Sequence, residues 1–180
     1  MKKIKVTSHL LYLFFRAITF LIPLAATYFI LFRFEGMLSW GMWSQIISLA
    51  PIKTAVHFSF LHRLVILLIN FIPLSITVLI CNNLARLFRL YERGELFEDA
   101  NIKLIKGISI YMIVGQFIEL LYQPLLSFAL TFHNPQGEHM AALSFGTANI
   151  TTLIIACIIL VASWIVKEAH HLKSESQLTI

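Results

Sequence analysis

Apolar residues dominate four stretches of the chain, and polar residues crowd between them. The first runs from Leu10 to Phe32 and is broken only by Arg16. The second, Leu64 to Ala85, carries no charge. The third, Gly107 to Phe132, carries Glu119 alone, and the fourth, Leu143 to Val166, carries none. Each is at least 22 residues long, and a helix needs about 20 apolar residues to cross a bilayer. The pattern predicts an all-α membrane protein: a four-helix transmembrane bundle with spans near 10–32, 64–87, 107–132 and 143–166, forming one transmembrane domain over 1–180. Pro23, Pro73 and Pro124 fall inside three of the runs. In lipid the carbonyls they free find neighbouring helices or Ser/Thr hydroxyls, so kinked helices are expected rather than broken ones. Met1 to Lys5 is basic like the start of a signal peptide. The run behind it exceeds the roughly 7–15 residues of a signal core, so an uncleaved span is expected.

Charge sets the orientation. Lys2, Lys3, Lys5 and Arg16 flank or enter the first span. Arg86, Arg89, Arg93, Lys103 and Lys106 lie between spans two and three, and Lys167 and Lys173 follow span four. The opposite side holds only Arg33, Lys53 and Arg63. The positive-inside rule then places both termini, the loop 88–106 and the tail 167–180 in the cytoplasm. The chain is 58% hydrophobic, 13% charged and has net charge +5. Soluble domains carry about 25% charged residues. The basic residues therefore read as an orientation signal facing a lipid bilayer, not as a face for direct nucleic-acid binding.

The connection from Arg33 to Arg63 interleaves Trp40, Trp43, Phe58 and Phe60 with Ser, Gln and His. Trp collects at headgroup level, so a short interfacial helix or hairpin is expected, with a substrate lid as the alternative. The loop His133 to Ala142 carries a Pro-Gln-Gly turn signal.

Glu119 stands out as an ionisable group at the middle of a span, a position that costs roughly 2.5–3.5 kcal/mol on insertion scales and usually faces the bundle interior. Gln116, Glu119, Gln123 and Ser127 share one helical face with it. Asn70, Thr77 and Cys81 share a face of span two. Arg16, Thr19, Pro23 and Thr27 do so on span one, and Asn149, Thr152 and Ser163 on span four. Glu119 and Asn70 reach similar depths, and a hydrogen bond between them is expected. Arg16 should snorkel toward the cytoplasm rather than pair with Glu119. The seam Gln116, Glu119, Gln123 and Asn70 is either a ligand or proton site or polar glue between helices.

Catalysis finds little to build on. No Gly-rich phosphate loop, His-Glu-x-x-His or Ser-His-Asp spacing is present, and the sole Asp is Asp99. His57, His62, His133 and His139 sit in the outer connections without the spacing of a metal site, and His170 and His171 are adjacent. Cys81 and Cys157 both lie in apolar runs and read as buried thiols. A non-enzymatic protein without metal or cofactor is expected.

In the cytoplasmic loop, spans two and three should continue as helices. Gly94 ends the first, and Glu98 and Asp99 favour the start of the next. The motif Arg-Gly-Glu-Leu-Phe-x-x-x-Asn, Arg93 to Asn101, and the terminal Leu-Thr-Ile, Leu178 to Ile180, occur here on a four-span frame. In these the chain resembles the bacterial membrane proteins catalogued as domain of unknown function 2975. Glu98 and Gln177 depart from that pattern, which carries a Ser or Thr cap after the Phe and an acidic residue before the terminal Leu. Members of that family are often encoded beside a small helix-turn-helix regulator. The resemblance therefore implies a bacterial inner-membrane regulator or sensor that holds such a soluble DNA-binding protein. The partner surface would comprise Arg89, Arg93, Glu95, Phe97, Asn101, Leu178, Thr179 and Ile180. The alternative is a small-molecule transporter or immunity-type binder using the polar seam. Four spans are few for a carrier, so that reading requires a homo-oligomer.

Overall fold

The structure, a computed structural model, describes residues 2–52, 58–95, 98–135, 138–144 and 146–178. Helix accounts for 84% of it, and no strand occurs among the described residues. Six helices follow in order: α1 (Lys2–Phe32), α2 (Phe34–Ser39), α3 (Ser44–Leu49), α4 (Phe60–Arg93), α5 (Asp99–Thr131) and α6 (Thr147–Leu178). Four of them, α1, α4, α5 and α6, are long and apolar enough to cross a bilayer. Pro23, Pro73 and Pro124 each lie inside a continuous helix.

Several polar residues of the spans place their donors within their own helix. Thr19, Thr27, Asn70, Ser109, Thr131 and Thr152 each donate to the backbone carbonyl four residues back, at 2.7 to 3.1 Å. A hydroxyl returned to its own helix leaves no unmet donor in hydrocarbon. These donors are met within their own helices, and Asn70 keeps its Oδ1 for a partner on another helix.

The contacts divide the chain into two compact units. One comprises Met1–Phe20, Ile76–Val114 and Ala148–Ile180. It buries small side chains, among them Ser8, Ala85, Ser109, Ala156 and Ser163, the residue class that lets helices approach closely in lipid. Gly107 marks such an approach, since a Cβ there would sit 3.0 Å from Asn83 Nδ2. Phe15 stacks on Phe88 with ring centroids 5.7 Å apart. His9 Nδ1 meets Glu92 Oε1 at 2.9 Å.

The other unit comprises Leu21–Ser75 and Gly115–Thr147. Its core gathers Ile30, Phe34, Ile66, Leu126 and Leu130, all essentially inaccessible. The connection expected to hold a short helix or hairpin contains α2 and α3. Trp43 precedes α3 in the left-handed conformation, with φ +58°, a strained geometry for a residue with a Cβ. Arg63, in the first turn of α4, donates to Leu31 O at 3.1 Å and to Phe58 O at 3.0 Å. Leu31 lies in the last turn of α1, where carbonyls lack helical partners, so one guanidinium finishes α1 and ties it to the entry of α4.

Candidate functional site

The polar face of α5 has a definite task in this unit. Gln123 Oε1 accepts the Ser144 N–H at 2.6 Å, Ser127 Oγ the Ala142 N–H at 2.7 Å, and Thr131 Oγ1 the Met140 N–H at 3.1 Å. Four helical residues rise about 6 Å, and two extended residues span about 6.6 Å. The alternate N–H groups of residues 140, 142 and 144 therefore match every fourth side chain of α5, and the segment runs antiparallel along the helix. This explains why the apolar run beginning at Leu143 is not helical until Thr147. Its backbone donors face α5 rather than carbonyls of its own.

Gln123, expected in a ligand seam, is thus buried and committed to the chain itself, with its Nε2 donating to Glu119 Oε1 at 3.5 Å. Asn70 also differs from expectation. Its Oδ1 accepts from the Tyr122 hydroxyl at 2.8 Å, and that oxygen accepts the Trp43 indole N–H at 3.1 Å. Tyr122 stands three residues beyond Glu119 with a longer side chain, and it reaches α4 where the carboxylate was expected to. The chain Trp43–Tyr122–Asn70 joins the left-handed Trp before α3 to two membrane helices. Glu119 and Gln116 are half-buried, and Gln116 Oε1 is a buried acceptor with no partner among the described residues. Arg16 lies over the Phe20 ring at 5.1 Å, within its own helix.

Among the histidines of the two connections, His62 Nε2 meets Ala129 O at 2.7 Å and its ring lies 4.7 Å from that of His133. Among the described residues no group of three or more His, Cys, Asp or Glu is placed to hold a metal. His57 lies outside the described residues. Cys81 is buried, Cys157 is exposed against expectation, and both are free thiols.

At the charged loop, α4 ends in a Schellman turn. Gly94 takes φ +92°, the Gly94 N–H donates to Tyr91 O and the Glu95 N–H to Leu90 O, both at 3.1 Å. Asn101 donates from Nδ2 to Glu95 O, and the Glu98 carbonyl accepts the Asn101 N–H at 2.9 Å. Gly and Asn of the motif thus close the connector. Asn101 is 2% exposed, so its side chain serves the loop and not a docking face. Arg89 and Arg93 are exposed and Glu95 is half-buried. The Arg89 guanidinium lies 5.7 Å from the Tyr12 ring. Leu178 is the last residue of α6, while Phe97, Thr179 and Ile180 lie outside the described residues.

Four membrane-length helices define a multi-pass, all-α membrane protein. The family model described as Protein of unknown function (DUF2975) matches residues 42–180, and the chain belongs to that family. No curated protein and no solved structure matches it.

Proposed function

We propose that the protein is a non-enzymatic regulator or sensor of the bacterial inner membrane, with both termini cytoplasmic, that holds a soluble helix-turn-helix regulator at its basic end. One observation carries this reading. Helices α4, α5 and α6 run 34, 33 and 32 residues, where about 20 suffice to cross the hydrocarbon. The surplus of α4 and α5 carries exposed Arg86, Arg89, Arg93, Lys103 and Lys106. Cationic side chains on rigid helical ends suit an acidic protein surface. The test is co-purification with a candidate helix-turn-helix regulator, if one is encoded beside this chain. Arg89→Glu with Arg93→Glu, and separately truncation after residue 169, should each sharply reduce capture. Full capture by both variants would reject the reading.

A second reading, a small-molecule binder or transporter, draws support from Gln116 Oε1, unpartnered among the described residues and one turn before Glu119. It requires Glu119→Gln to abolish transport or protection while partner capture persists.

A further inference from the structure

A cavity of about 410 Å³ opens beside the end of α1, within the roughly 300–1,000 Å³ typical of ligand sites. Phe29, Phe32 and Trp40 form its apolar walls. Its charged lining sets two guanidiniums, Arg33 and Arg63, against one carboxylate, Glu35. Glu35 is already engaged, with Oε1 3.7 Å from Arg63 Nη2 and a further contact besides. Arg63 also donates to Leu31 O and Phe58 O, which fixes its guanidinium in place. Arg33 is exposed and makes no side-chain hydrogen bond or ion pair with any described residue. The charge left over is therefore positive, and it sits on Arg33.

The place of the cavity in the chain matters as much as its lining. Phe32 ends the apolar span of α1, and Arg33 and Glu35 follow at once. Such a boundary belongs at the passage from hydrocarbon to headgroups, where Trp also collects. Leu21, Leu24, Tyr28 and Phe32 are all exposed and share one helical face by their spacing. They form an apolar ladder that ends at the cavity wall.

We infer that this cavity binds an anionic phospholipid of the phosphatidylglycerol type, with its phosphodiester on Arg33 and an acyl chain along the ladder. The guanidinium fork suits the two free oxygens of a phosphodiester. A zwitterionic headgroup would bring an ammonium to a lining that is already positive, and it binds less well. A soluble phosphodiester offers the same anion but nothing to lay against Leu21, Leu24 and Tyr28. None of these residues belongs to the basic ends of α4 and α5, so the lipid site and the regulator surface stand or fall separately.

The test uses the full chain, delipidated in detergent and titrated with phosphatidylglycerol or phosphatidylethanolamine carrying a photoreactive acyl chain, with the labelled residues mapped by peptide mass spectrometry. Labelling within residues 21–40 should half-saturate at a lower concentration of phosphatidylglycerol than of phosphatidylethanolamine. Water-soluble glycerophosphoglycerol should compete only weakly. Arg33→Ala should raise the half-saturating concentration of phosphatidylglycerol about tenfold, the loss of one charge-assisted hydrogen bond. Labelling beside the basic residues 86–93 should stay unchanged in that variant. An unshifted titration at residues 21–40 in Arg33→Ala, at native helicity, would overturn the inference. The unsubstituted protein gives an independent check: equal half-saturation by the two lipids would overturn it, and so would competition by glycerophosphoglycerol as strong as that by unlabelled phosphatidylglycerol, which would make the ligand a soluble anion.

Discussion

Gln123 Oε1 takes the backbone N–H of Ser144 at 2.6 Å, the innermost of three bonds by which α5 holds the segment before α6. Removing this acceptor leaves a half-buried N–H unmet, at a cost of about 1 kcal/mol. Gln123→Leu should lower the unfolding temperature in detergent and speed amide exchange at residues 140–144. Exchange there equal to that of the unsubstituted protein would show that the segment is held by something else.

The hydrogen-bond chain through Tyr122 gives a test by coupling. Tyr122→Phe should cost about 1–2 kcal/mol and be strongly non-additive with Asn70→Ala, because the two share one bond. Glu119→Gln should add independently to Asn70→Ala. A large Glu119–Asn70 coupling in a double-mutant cycle would restore the pairing expected from depth alone.

Arg63 closes α1 with a fork that reaches two carbonyls at once. Arg63→Lys keeps the charge and loses that geometry. It should destabilise almost as much as Arg63→Met, by about 2–3 kcal/mol. Full rescue of the unfolding temperature by lysine would mean that charge, not geometry, matters there.

Gly107 sets a helix approach in the other unit. Gly107→Ala meets only the end of the Asn83 side chain and should be mild. Gly107→Val should cost about 1–3 kcal/mol, as overpacking does, and Asn83→Ala should recover part of it. No recovery would place the clash elsewhere.

The apolar runs made the four long helices legible, because period and length are properties of the side chains themselves. Gly94 was legible as a helix end for the same reason, since only a residue without a Cβ adopts its φ at little cost. The site was far less so. Gln123 and Ser127 were visible as a polar face, but their partners are backbone N–H groups of residues 144 and 142, which carry no mark in the sequence. Tyr122 counted as one more aromatic in a span. Its hydroxyl acquires meaning only when Trp43 and Asn70 are brought to it from 79 and 52 residues away. Asn101 looked like a contact residue because it sits in a charged loop, and its bond to Glu95 O depends on the turn that Gly94 makes.

The proposed function requires the basic helical ends to face the cytoplasm, and topology reporters measure this directly. Alkaline phosphatase and a fluorescent protein are each fused after residue 180 and, in separate fusions, inserted after residue 134. The account predicts fluorescence without phosphatase activity at the C-terminus and the reverse at the insertion. Phosphatase activity after residue 180 would contradict it.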